Sequence, residues 1–341
     1  MMVTVANNSS HSLRMRSRMR SGTAAMNIRG YEGGDEQSIV QLWNSALRND
    51  PINMPVFERK ILLEPNFDPR GCILAFEGTT LVGYAQCMVR RYPNYHDGLE
   101  QGKGWITVFI ADTPAAGNAV LRSAGDYFAT KGANQLWFSG FTPNYFWPGI
   151  DASSYPHLHK MLLDAGYADA SEALAMDALL WPEFRLPPGI DEIERRLEKE
   201  GIVVRSPETA DLVSLLNFLR TNFSADWYRH CLDQLSAGAS KSQFTIAVRG
   251  REVLGYAQFW DGDGYNWWGP GEHFGPFGVK ESQRGRGLGS VILKRTLENM
   301  RKSGSHHAFF LWTDRRAARL YERFGFRVSR RFTVMRKEVA G

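Results

Sequence analysis

The 341-residue chain carries a net charge of +5, but four of its arginines (Arg14, Arg16, Arg18, Arg20) fall within the first 25 residues, where no acid occurs. The remainder holds 37 basic against 36 acidic residues, a balance that does not support the basic groove of a nucleic-acid-binding protein. A hydrophobic fraction of 43% without an apolar run of membrane-spanning length fits a globular chain of two domains, and three scattered cysteines (Cys72, Cys87, Cys231) lack disulfide or metal spacing and suit a reducing, cytoplasmic setting.

Residues 1–25 are rich in Ser, Arg and Met and lack hydrophobic periodicity, so they are expected to be disordered. Met26, just ahead of a strand-then-helix pattern, offers an alternative start. An organelle transit peptide is the other reading of an Arg-rich, acid-poor leader.

From Met26 the chain is written twice. Ile28-Arg29, then Asp35 and the stripe Ile39, Leu42, Trp43, Leu47, predict a strand, a helix N-cap and a first helix. Val204-Arg205, Asp211 and Leu212, Leu215, Leu216, Leu219 repeat the pattern. Residues 74–86 and 246–258 each predict a β-hairpin that turns at Gly78 or Gly250 and ends in Gly-Tyr-Ala-Gln, at a constant offset of 172 residues. Residues 119–128 with Lys131-Gly132 match a later helix, 291–300, with Ser303-Gly304. Between the copies lie Pro182, Pro187 and Pro188 and a short charged helix from Asp191, so the expected division is 26–181, a linker 182–200, and 201–341.

In the second copy, residues 274–279 read as a short strand, and Val291, Ile292, Leu293, Leu297 and Met300 recur at helical spacing. Between them runs Gln283-Arg284-Gly285-Arg286-Gly287-Leu288-Gly289-Ser290. A glycine-rich turn feeding a helix N-terminus converges backbone N–H groups on one point, where an anion is favoured. No lysine follows, as a Walker loop requires, and the glycine spacing is not that of a dinucleotide fingerprint. The pattern Arg284-x-x-Gly287-x-Gly289 resembles that of the Gcn5-related N-acetyltransferases (GNAT superfamily).

A second match supports this resemblance. The family stretch Asn-x-x-Ala-x-x-Leu/Phe-Tyr-x-x-x-Gly-Phe is reproduced from Ala317 through Tyr321 to Phe326, with Asp314 where Asn is usual. The resemblance implies an α/β (α+β) fold of two tandem GNAT-like domains, each a mixed, mostly antiparallel sheet flanked by helices. It implies acetyl-CoA as co-substrate, its pyrophosphate on Gln283 through Ser290, its pantetheine arm along Phe277, Gly278 and Val279, and a contact at Asp314. At the 172-residue offset Asp112 faces Arg284 and Ala115 faces Gly287; further on, aligned by its place before Gly166-Tyr167, Leu162 stands for Tyr321. The N-terminal copy is therefore expected to be degenerate and to bind acetyl-CoA poorly or not at all in this mode.

A phenol is protonated at neutral pH, so Tyr321 is the candidate donor to the departing thiolate, the alternative being plain packing against the sheet. An amine acceptor arrives mostly as ammonium, which calls for a base. His273 is the candidate, an imidazole being suited to the task near neutrality. A regular strand places it on the side of Gly275, Phe277 and Val279 and puts Glu272 opposite, unless Gly275 and Pro276 form a bulge.

Asp261, Asp263 and Glu272 superficially suggest a calcium loop, but Tyr265 and Asn266 stand at positions that argue against it. Trp267 and Trp268 are candidates for lining an acceptor site. His157-Leu-His159 and His306-His307 lack supporting ligands, so no metal is expected. The inferred reaction is acetyl transfer to the primary amine of a small molecule or peptide, by a monomer or homodimer without nucleic-acid or membrane partners. The residues 142–151, an insertion relative to the second copy, are positioned to let the degenerate domain shape the acceptor pocket. Alternatives are a non-catalytic acyl-CoA-binding sensor or scaffold, and a mycothiol-synthase-like acetyltransferase acting on an amino-sugar thiol precursor.

Overall fold

The computed structural model describes residues 26–182, 184, 186–260 and 272–339. The expectations for residues 1–25 and for Asp261, Asp263, Tyr265, Asn266, Trp267 and Trp268 lie outside the described residues. In the first half, β1 (Met26–Arg29), α1 (Glu36–Ala46) and α2 (Met54–Phe57) lead into the hairpin β2 (Cys72–Glu77) and β3 (Thr80–Met88). Then come β4 (Lys103–Ala111), α3 (Pro114–Thr130), β5 (Gln135–Phe138), α4 (Pro156–Asp164) and β6 (Ala168–Leu179). After α5 (Ile190–Lys199), the second half runs β7 (Ile202–Arg205), α6 (Leu212–Asn222), α7 (Ala225–Ser236), β8 (Phe244–Arg249) and β9 (Glu252–Trp260). It closes with β10 (Glu272–Val279), α8 (Leu288–Lys302), β11 (His307–Thr313), α9 (Arg315–Glu322) and β12 (Arg327–Glu338).

The repeat is explained by shared packing devices. Asp35 and Asp211 stand at the heads of α1 and α6 without capping them by a side-chain bond, contrary to expectation. Each carboxylate instead turns back to the strand before it, pairing with Arg29 at 2.7 Å and with Arg205 at 2.6 Å. In the repeated Gly-Tyr-Ala-Gln, the Tyr84 hydroxyl donates to Gln86 Oε1 at 3.3 Å, and Tyr256 donates to Gln258 likewise. All four side chains are fully buried. That tetrapeptide is a core element in which the buried tyrosine hydroxyl and glutamine carbonyl oxygen satisfy each other.

The two copies do not form separate sheets. One continuous sheet of twelve strands runs β1-β2-β3-β4-β5-β12-β6-β11-β10-β9-β8-β7. The last strand of each half has crossed over: β12 pairs antiparallel with β5, β6 pairs antiparallel with β11, and the two long strands pair with each other at the centre. Phe309, Leu311, Phe332, Val334 and Met335 of the second half consequently pack in the core of the first. No helix among the described residues is long and apolar enough to cross a membrane.

A buried ion network pins β12 to the first half. Arg330 reaches Asp50 at 2.5 Å and Asp151 at 2.8 Å, and the Tyr155 hydroxyl donates to Asp50 at 2.7 Å. Burial opposes ionisation of Asp151, but the Ser153 and Ser154 hydroxyls and Arg330 outweigh it and hold the carboxyl below its ordinary range. Its contribution to stability is thus present above the usual aspartate range and lost as pH falls through the lowered value. Removing the guanidinium strands two carboxylates in the interior. Arg330→Met should therefore destabilise the chain by about 3–5 kcal/mol at neutral pH, and the deficit should shrink on acidification as the Asp151 carboxyl protonates. Urea unfolding at two pH values measures both.

Candidate active site

The site begins with an irregularity in β10. Its register against β9 slips between Phe274, opposite Phe259, and Phe277, opposite Ala257, so one extra residue bulges out at Gly275-Pro276. Gly275 sits at φ +116°, a conformation open to glycine, and Pro276 has no N–H to offer a ladder. Pairing with β11 is confined to Glu272↔Ala308 and His273↔Phe309. Beyond that point the two parallel strands part, and a cleft opens in the sheet.

The bulge also shifts the side-chain phase. His273 opposes Trp260 and Gly278 opposes Tyr256, so these two share a face, while Phe274, Phe277 and Val279 share the other. The regular-strand expectation that His273 lies beside Phe277 and Val279 is thereby corrected. Gly278 faces the α6–α7 junction, where a Cβ would lie 2.5 Å from Phe223 and 2.8 Å from Trp227. Val279 faces α8, with Cγ2 3.5 Å from a Cβ built on Gly289.

A cavity of about 880 Å³ passes through this opening and draws on both faces. Phe277, Asp314 and Tyr321 line one side; Trp227, His230, Trp260 and His273 line the other; Glu272 is not among its lining residues. The first half closes it with Lys60, Asp97, Glu100 and the segment Thr142 to Tyr145, part of the insertion noted in the sequence.

Tyr321 projects from α9 into an aromatic box, its ring 4.5 Å from Phe310, 5.7 Å from Phe326 and 6.0 Å from both Phe274 and Phe277. Burial first, then the Asp314 charge, pushes its phenol well above the ordinary tyrosine range, so it stays protonated. The His273 ring is held edge-on by Trp260 at 4.3 Å and stacks on Phe309 at 5.2 Å. Asp314 is the N-cap of α9, its Oδ1 accepting from the Ala317 N–H at 2.7 Å. An aspartate serves as well as an asparagine in that position, which accounts for the departure from the family pattern.

The glycine loop stands apart from the cavity, linked to it through Phe277, whose Cζ lies 3.3 Å from a Cβ built on Gly289. Gly285 and Gly287 take φ of +77° and +84°. Gly287 heads α8 with no side-chain cap among the described residues. Glycine backbone and an uncapped first turn leave N–H groups available to an anion. Arg284 is exposed, with Glu281 3.9 Å away, whereas Leu288 and Ser290 are buried in the first turn. Gln283 accepts from Arg286 at 2.7 Å.

The linker helix α5 proves to be a clamp on this loop. Ile193 lies under Gly287, Arg196 donates to the Arg286 carbonyl, and Arg286 pairs with Glu200. Lys294 of α8 bonds Asp191 at 2.5 Å and Glu194 at 2.8 Å, and Arg295 bonds Glu194 at 2.7 Å. Only the charged character of α5 was visible in sequence; its partners lie about ninety to a hundred residues away.

The first half has no such loop. Ala111 pairs with Gly83 and Val279 with Gly255, while Val120 and Ile292 cover those same glycines. The connecting residues are 112–119 in one half and 280–291 in the other, four more in the second. Asp112 therefore corresponds to Lys280, each donating its N–H to the preceding hairpin strand, and not to Arg284 as the constant offset suggested. Thr113 caps α3 with its own side chain, at 3.2 Å from the Ala116 N–H, and α3 packs directly on α4. The correspondence of Leu162 with Tyr321 does hold: each accepts through its carbonyl from the residue after the helix-stop glycine, Tyr167 or Phe326.

Other sequence candidates have structural roles. His159 pairs with Asp169 at 2.9 Å and His307 with Asp177 at 3.0 Å, and no metal-ligand cluster occurs among the described residues. All three cysteines are buried and free.

Residues 212–326 match the Acetyltransferase (GNAT) family. Similar folds include a GCN5-related glucosamine N-acetyltransferase region of a fungal multi-domain GH3 beta-N-acetylglucosaminidase, at 16% identity and TM-score 0.75, over 92% of this chain and 38% of that one. A GCN5-related N-acetyltransferase from Sphaerobacter thermophilus aligns at 16% identity and TM-score 0.67, over 93% and 96% of the two chains. A tandem GNAT protein from the clavulanic acid biosynthesis pathway aligns at 13% identity and TM-score 0.61, over 93% and 99%. No curated protein sequence matches significantly. The chain thus has a tandem GNAT fold, with the family match falling in its second half.

The loop geometry yields a stability test. Alanine at Gly287 meets both a left-handed backbone and Ile193 Cγ2 at 2.7 Å, whereas alanine at Gly285 meets the backbone term alone. Gly285→Ala should cost about 1–2 kcal/mol and Gly287→Ala more. Denaturant midpoints of the two variants give the order.

Proposed function

We propose that the second half binds acetyl-CoA and transfers its acetyl group to a primary amine. The observation carrying this reading is that Tyr321 and His273, from opposite faces of the sheet, line one cavity at the point where β10 parts from β11. In this reading the uncapped, glycine-headed turn before α8 receives the pyrophosphate, with Arg284 free to swing onto it and α5 holding the loop still. The edge of β10 from Phe277 to Val279 offers backbone groups to the pantetheine arm and to the thioester carbonyl.

His273 takes a proton from the ammonium, directly or through water, and the amine lone pair attacks the thioester carbon. The C–N bond forms, the C–S bond breaks, and the thiolate takes the Tyr321 proton; the second proton leaving the amide nitrogen restores the phenol, and the imidazolium releases its proton to solvent. Burial raises the proton affinity of phenol and thiolate alike, so a phenol pushed upward remains a usable donor to a thiolate released into the same dry pocket. The first half, with its helix self-capped by Thr113 and lacking the loop, binds no second equivalent.

Thiol release measured with acetyl-CoA and a panel of primary amines tests the reaction. Tyr321→Phe should lower kcat about 100-fold with little change in KM for acetyl-CoA. His273→Ala should lower kcat/KM for the amine about 100-fold with KM for acetyl-CoA unchanged. CoA titration should saturate at one equivalent per chain. Stoichiometric binding without amine-dependent thiol release would instead establish the acyl-CoA sensor.

A further inference from the structure

Four carboxylates line the cavity: Asp97, Glu100, Asp226 and Asp314. Three are committed. Glu100 is bound by Arg90 at 2.5 Å and Lys103 at 2.9 Å. Asp97 accepts from the Ala225 N–H at 3.1 Å and lies 3.7 Å from His96. Asp314 caps α9.

Asp226 is different. It sits in the first turn of α7, and among the described residues no lysine or arginine pairs with it; its partners are the Ser224 hydroxyl and the backbone of its own turn. Burial, with Asp97 adding to it, raises its pKa against those bonds. Tyr145 of the first half lies close enough for its phenol to feel the Asp226 charge. The surrounding wall is aromatic, from Trp227, Trp260, Tyr145 and Trp312, and aromatic faces attract cations. Of the basic residues in the lining, Lys60 is turned to the Tyr145 carbonyl at 2.6 Å and over the Phe146 ring, and Arg59 lies at the exposed rim.

Position decides which cation this carboxylate suits. One helical turn along α7, the His230 ring lies 4.1 Å from Trp260, whose ring lies 4.3 Å from His273. Asp226 is therefore set back from the reacting centre. A carboxylate beside the reacting nitrogen would raise the amine's pKa and oppose attack; one set back is free to hold a charge that never reacts. We infer that Asp226 binds a second, non-reacting ammonium group of the acceptor, which makes the acceptor a diamine or polyamine and Asp226 its specificity determinant. This rests on the acetyltransferase reading.

An aspartate in a first helical turn also favours the helix dipole, so the test needs a readout that stability does not move. Thiol release is measured with α,ω-diamines from diaminopropane to diaminooctane, each against the n-alkylamine of equal length. The wild-type chain should prefer a diamine. Asp226→Asn should raise that diamine's KM about ten-fold with kcat nearly unchanged and the alkylamine unaffected, and Asp226→Glu should restore part of the difference. Calorimetric titration of the same amines onto the CoA-bound chain should show the same dependence without turnover. Equal KM for diamine and alkylamine, or equal loss of both in Asp226→Asn, overturns the inference and leaves the acetyltransferase reading standing. Diamine binding that depends on Asp226 without any thiol release supports the inference while the acetyltransferase reading fails.

Discussion

The antiparallel pairing of β6 with β12 is the constraint on which the rest of the molecule depends. Each strand belongs by sequence to one half and by hydrogen bonding to the other, so neither half holds a complete sheet alone. An edge strand left bare is a template for aggregation, and the exchange fills the bare edge in both halves at once. The Arg330–Asp50–Asp151 network fixes the arrangement at a buried point. Such a network adds little net stability over apolar packing, but it penalises alternatives in which its charges lose one another. The first half, without the glycine loop, still supplies core that strands of the second half pack into.

The two copies agree where they are core and differ where they line the cavity. The Arg29–Asp35 and Arg205–Asp211 pairs, the Tyr–Gln hydrogen bonds, and the glycines covered by Val120 and Ile292 recur in register. Divergence is concentrated in two places, the four-residue extension before α8 and Tyr321 against Leu162, while the one-residue register slip of β10 on β9 recurs in β4 on β3. The first half has self-capped its helix with Thr113 and laid α4 against α3, filling what the second half leaves open. The first half differs from the second in backbone as well as in side chains.

How much of this was legible in the sequence depended on the range of the interactions involved. The hairpins, the glycine turn and the helix after it are set by local spacing, and they stand where periodicity put them. The constant offset failed between Ala111 and Val120 because a loop insertion is invisible when flanking repeats still align. The phase of His273 turned on one bulged residue, which reverses every side chain beyond it. Strand exchange left no mark, since β6 and β12 satisfy the same pattern in either sheet. The clamp on the loop was hidden for a related reason: Glu194 and Lys294 read as ordinary helix-surface charges until the fold sets them 2.8 Å apart.

The bulge has a further consequence for the proposed reaction. Phe277 and Val279 face α8 with Tyr321, whereas His273 and Gly278 face α6 and α7. In that reaction the acetyl donor and the amine would approach from opposite faces of the sheet and meet only where β10 has left β11. Each can bind without displacing the other, so direct attack within a ternary complex needs no covalent acetyl-enzyme. The nucleophiles such an intermediate would use are poorly placed, because Cys72, Cys87 and Cys231 are all buried and their thiols pushed upward by burial. The first half contributes part of the cavity wall, through Tyr145, Asp97 and Glu100. For the proposed reaction, the continuous sheet keeps the loop before α8 and the lining contributed by the first half in fixed register.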